Sequence, residues 1–62
     1  MKRLVIHPKD VVIITGKSER YGRKLLAKIR KEYNLEDHQM VTATDLSNYT
    51  GIPLAHILQY LD

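Results

Sequence analysis

Seven positive side chains fall between Lys17 and Lys31 (Lys17, Arg20, Arg23, Lys24, Lys28, Arg30 and Lys31), opposed there only by Glu19. Cations at this density suit a polyanion: each one near a phosphate releases a counterion, and the affinity gained depends on salt. Arginine can also take guanine O6 and N7 bidentately, whereas lysine acts as a point charge. Thr15-Gly16-Lys17-Ser18 follows an apolar run, as the end of a nucleotide-binding P-loop does. That loop needs a glycine five residues before Gly16, where this chain has Val11, so the P-loop reading is set aside. Ser18, Thr42 and Thr44 have no base nearby in sequence. His7, His38 and His56 share no ligand spacing. The expectation is therefore no catalysis, no metal, no cofactor and no small-molecule substrate.

With 62 residues the chain has room for one domain (1–62), whose core is small. At this size only about 60% of the unfolded surface is buried. A hydrophobic share of 44% beside 27% charge places it among folded rather than disordered chains. There is no cysteine, which excludes disulfides and Cys-based zinc sites. The longest apolar run, Val11–Ile14, is far below a membrane span, and Met1-Lys2-Arg3 leads into no secretory segment. The expected compartment is the cytoplasm, where the sequon Asn48-Tyr49-Thr50 carries no meaning. Charge is strongly segregated. Residues 1–31 hold all ten Lys and Arg against Asp10 and Glu19, net +8; residues 32–62 hold five carboxylates and no Lys or Arg, net −5. Such asymmetry suggests a polyanion-facing end and a separate task for the other end.

Four helices are expected to position these residues. Pro8 suits a first helical turn, and Gly16 ends a short helix from Lys9 to Thr15. Val11-Val12-Ile13-Ile14 would equally suit a buried strand, so helix against strand stays open at that point. Ser18 is an N-cap, and Leu25, Leu26, Ile29 and Tyr33 then recur at helical period as far as Asn34. Gly22, inside that helix, calls for a close crossing by the Val11–Ile14 segment. Residues 34–41 read as a loop, with Met40-Val41 a candidate partner for Leu4-Val5-Ile6 in a minimal two-stranded ribbon. Thr42, with Asp45 at the third position, caps a third helix bearing Leu46 and Tyr49 and stopped by Gly51. Ile52-Pro53 opens a fourth, with Ile57, Tyr60 and Leu61 inward. Tyr33, Tyr49 and Tyr60 are all expected in the core.

Asp10-Val-Val-Ile-Ile-Thr-Gly16 and Asp45-Leu-Ser-Asn-Tyr-Thr-Gly51 align at an offset of 35, and the alignment continues to Leu26 and Leu61. Each copy reads as a short helix, a glycine turn and a second helix. In this grammar the chain resembles the helix-turn-helix family of DNA-binding modules, in particular small bacterial or phage regulators and excisionases. The second copy matches through Leu46, Ser47, Gly51, Ile52, Ile57 and Tyr60. The first matches through Val11, Val12, Gly16 and Ser18 and departs at Lys17 and Gly22. The resemblance implies an all-α, four-helix domain of two helix-turn-helix-like units, a basic one over 8–33 and an acidic one over 42–61. It also implies transcription regulation or an architectural role on DNA.

Charge decides between the copies, because an acidic helix is repelled by phosphate. The expected function is double-stranded DNA binding through the helix that begins at Ser18. Ser18, Arg20 and Tyr21 are candidates for base edges or nearby phosphates, with Arg23 and Lys24 one turn on. Lys17, Lys28 and Lys31 are candidates for phosphate contacts. The competing readings are a merely solvated helix face, an adaptor whose basic helix docks on an acidic protein, and RNA binding by the same helix. Leu54, Leu58 and Leu61, spaced i, i+4, i+7, are a candidate self-association row for a homodimer, and no membrane partner is expected.

Overall fold

A computed structural model describes residues 4–61. Met1-Lys2-Arg3, with the expectation placed on them, and Asp62 lie outside the described residues. Four helices follow one another: α1 (Pro8–Thr15), α2 (Glu19–Glu32), α3 (Ala43–Thr50) and α4 (Leu54–Leu58). None among the described residues is long and apolar enough to cross a membrane.

The four β-branched residues of α1 are helical because both ends are fixed. Pro8 occupies the first turn, and Asp10 Oδ2 accepts the His7 N–H at 2.8 Å. Gly16, at φ 74°, closes the other end with its N–H on Val12 O at 2.8 Å. Burial of Val11 outweighs the modest propensity penalty of the run. In α2, Ser18 Oγ accepts the Tyr21 N–H at 3.1 Å. Gly22, Leu25, Leu26 and Ile29 then form one buried stripe at i, i+3, i+4, i+7. Gly22 is where α1 closes on α2, as the sequence required.

The C-terminus of α2 is a Schellman turn. Asn34 takes φ 53°, and the N–H groups of Asn34 and Leu35 donate to Lys31 O and Arg30 O at 3.3 and 2.9 Å. Arg30 then organises the following loop, its guanidinium donating to the carbonyls of Glu36, Asp37 and Gln39. The expected ribbon reduces, among the described residues, to one antiparallel bridge, Val5 with Thr42. Its bonds run from Ile6 N–H to Val41 O at 2.9 Å and from Ala43 N–H to Leu4 O at 2.7 Å. Thr42 immediately turns into α3, which leaves no length for a strand.

The offset-35 repeat is a repeat of structure. Thr42 and Asp45 form the full capping box that begins α3, Asp45 Oδ2 accepting the Thr42 N–H at 3.1 Å as Asp10 accepts from His7. Thr15 and Thr50 each donate to the carbonyl four residues back, Val11 O and Leu46 O, at 2.7 Å. Each also accepts an N–H from two residues on, Lys17 at 3.1 Å and Ile52 at 3.2 Å. Gly51 repeats the left-handed turn at φ 82°. Burial follows the same offset: Ile6 with Val41, Val11 with Leu46, and Leu26 with Leu61 are all core. The four largest fully buried side chains, Val11, Ile29, Leu46 and Ile57, come one from each helix. Each contributes on the order of 1.5–3 kcal/mol of transfer free energy.

Two sets of expectations need correction. Tyr33 and Tyr49 are each 37% exposed and Tyr60 47%, so none of the three is core. A tyrosine can lay its ring along apolar neighbours and keep its hydroxyl in water, so period alone does not bury it. The row Leu54, Leu58, Leu61 does not form one surface. Leu61 is 3% exposed and core, Leu58 is half-buried against that core, and only Leu54, at 38%, is open. α4 ends at Leu58 and the chain turns through Gln59 and Tyr60, so Leu61 does not continue the helical row.

Candidate nucleic-acid interface

The residues that can meet a polyanion lie opposite the buried stripe of α2. Arg20, Lys24, Lys28 and Lys31 are exposed and fall at i, i+4, i+8 and i+11, with exposed Ala27 in their midst. A rise of 1.5 Å per residue spreads the row over about 17 Å of helix axis. Both ends of the helix are built into the fold, the first by the Ser18 cap and the second by the Schellman turn at Asn34. The spacing between the cations is therefore set by a rigid rod, not by a loop.

The remaining cations of the segment are occupied. Arg23 Nη1 bonds Glu19 Oε1 at 2.9 Å, one turn apart on the half-exposed flank of the helix. Arg30 is committed to the loop carbonyls, a role its place in a charge run does not announce. Lys17 Nζ stands 5.8 Å from the centre of the Tyr21 ring, which carries the basic surface around the N-terminal end of α2. Among the described residues no carboxylate is within ion-pair distance of Arg20, Lys24, Lys28 or Lys31.

Every sequence-predicted contact residue is thus exposed, but they divide. Arg20, Lys24, Lys28 and Lys31 form one continuous row. Lys17, Ser18 and Tyr21 cluster at its N-terminal end, where Ser18 Oγ already serves as cap. Arg23 turns aside to Glu19. The row ends against α3 in an open cleft of about 320 Å³ lined by Lys28, Lys31, Glu32 and Tyr49. Tyr49, whose spacing with Leu46 reads as core, stands partly open in this cleft instead. The signal that could have found it is its position beside Asn48 and Thr50, in a helix with no other apolar residue near its C-terminal end.

The histidines take separate places: His7 just before α1, His38 in the loop and His56 on α4. Among the described residues no three His, Cys, Asp or Glu side chains gather. Compared with known proteins, the chain matches no family model, no curated protein and no solved structure.

Proposed function

We propose that this protein binds double-stranded DNA through the exposed row of α2, in a regulatory or architectural role. The observation that carries the reading is the row itself: four cations on one rigid helix face with no carboxylate paired to them among the described residues. A row of unpaired charge is electrostatically unfavourable in the free protein and is relieved by phosphate. B-DNA has a major groove about 12 Å wide, which admits one α-helix. The row of about 17 Å then corresponds to roughly five base pairs at 3.4 Å per pair.

Within that reading the side chains divide by chemistry. Lys24, Lys28 and Lys31 are point charges and contact phosphate without reading sequence. Arg20 is the one unpaired guanidinium in the row and the candidate for a guanine edge. Ser18, Lys17 and Tyr21 flank it at the helix N-terminus, and Arg23 joins only if it releases Glu19. Three lysines to one arginine describe a binder whose affinity is mostly backbone-directed and weakly selective. The acidic second unit completes the core through Leu46, Ile57 and Leu61 and offers a protein-facing surface.

Amide NMR titration with random-sequence duplex DNA tests the assignment. Shifts concentrated over Lys17–Lys31 are expected. No shifts with duplex, together with shifts on adding an acidic protein or single-stranded RNA, would favour the adaptor or RNA reading instead.

A further inference from the structure

We infer that the cleft lined by Lys28, Lys31 and Tyr49 holds a backbone phosphate of the bound nucleic acid, so that α3 of the acidic unit shares the interface. The inference rests on the DNA reading above and adds to it a site and a residue from the other half of the chain. The cleft is where the cation row meets α3, and its lining is Lys28, Lys31, Glu32 and Tyr49. Two lysines that pair with no carboxylate among the described residues line it beside the single acidic residue Glu32, a local excess of positive charge.

Tyr49 is the group that makes this more than the end of a charged helix. It sits on α3, one turn from Leu46, which is fully buried, yet its own ring stays partly open. The ring meets that of Tyr33 edge-on, with centroids 6.3 Å apart and planes at 84°. An edge-to-face pair of this kind favours one ring orientation, which holds the hydroxyl-bearing edge in place. A phenolic O–H is a hydrogen-bond donor to a phosphate oxygen, and the lysines supply the charge. The cleft is open to solvent, which suits a phosphate that belongs to a polymer passing by. No arginine fork lines it, so the contact positions the duplex and reads no base.

The test is fluorescence anisotropy of a labelled random-sequence duplex against the full chain over a range of salt, with thermal melting of each variant alongside. Tyr49→Phe keeps the ring against Tyr33 and removes only the donor. It is expected to weaken binding roughly tenfold at unchanged salt slope, because no charge is lost. Lys28→Ala with Lys31→Ala is expected to flatten the log–log salt slope by about 2, and Glu32→Gln to tighten binding. The Tyr49 ring resonances of the unmodified chain should move on titration with duplex and stay still with inorganic phosphate at equal phosphate concentration. If the unmodified chain does not bind duplex, the DNA reading fails and the cleft assignment with it. If it binds, and Arg20→Ala with Lys24→Ala weakens it while Tyr49→Phe does not and the ring resonances stay fixed, only the cleft assignment is overturned. Ring shifts produced equally by inorganic phosphate would overturn the polymer as occupant.

Discussion

Gly22 lies directly against the carbonyl of Pro8: a Cβ built on it would stand 2.8 Å from Pro8 O and 3.2 Å from Val11 Cβ. The contact sets how closely α1 approaches α2, and it is made to backbone, which cannot swing aside. Gly22→Ala gains about 1 kcal/mol of helix propensity. It also introduces an overpacking cost of about 1–3 kcal/mol. The expected net result is a less stable protein in urea unfolding. A variant more stable than the parent would show that the two helices separate freely.

The two threonines before the turn glycines give a test of the repeat. Thr15→Val and Thr50→Val keep the branched shape and remove the hydroxyl that both donates to a helix carbonyl and accepts a turn N–H. Each should cost on the order of 1 kcal/mol. Thr50→Val should cost more, because the Ile52 N–H left behind is part-buried whereas that of Lys17 is exposed and can turn to water. Equal stability of the parent and both variants would mean that the turns are held by glycine alone.

Local signals in the sequence were sufficient for the helix ends, while Val11–Ile14 read equally as helix or strand until the fold placed it in α1. Pro8 acts through its fixed φ, and Gly16, Ser18, Asn34, Thr42 with Asp45, and Gly51 act through bonds to residues at most five positions away, so their meaning survives without knowledge of the fold. The burial of Leu61 was also legible, since it stands 35 residues from core Leu26, but its spacing from Leu54 and Leu58 points to a surface row instead. What periodicity does not carry is how far a side chain reaches out of the core. Tyr33 and Tyr49 fall on apolar faces and still reach solvent. The clamp of Arg30 on the loop depends on a chain reversal that only the tertiary fold creates. Of the candidate site, the row on α2 could be read from charge and the Glu19–Arg23 pair from its i, i+4 spacing, whereas the cleft at Tyr49 needed the packed helices.

Leucine substitutions separate core from surface in α4 and the turn after it. Leu61→Ala should destabilise by about 2–5 kcal/mol, the range for large-to-small changes in a packed core. Leu54→Ala, at a side chain more than a third exposed, should cost well under half as much. Similar small costs at both positions would restore Leu61 to a surface row.

Arg23 provides an internal control for the interface. Its guanidinium is paired with Glu19, both side chains being half-exposed, and such pairs contribute little to stability. Arg23→Ala should therefore leave melting nearly unchanged and weaken duplex binding less than Arg20→Ala. The opposite order in anisotropy measurements would place the DNA on the Glu19 flank of α2 rather than on the outward row.

The most direct test of the account is the salt dependence of duplex binding by the parent and by the variant carrying Arg20→Ala, Lys24→Ala, Lys28→Ala and Lys31→Ala together. The three phosphate contacts of Lys24, Lys28 and Lys31 predict that the log–log slope of the parent exceeds that of the variant by about 2.7, at roughly 0.9 for each contact. All four residues are exposed, so the variant should stay folded, which melting verifies. A folded variant that binds with the parent's affinity and slope would contradict the assignment of this row as the nucleic-acid interface.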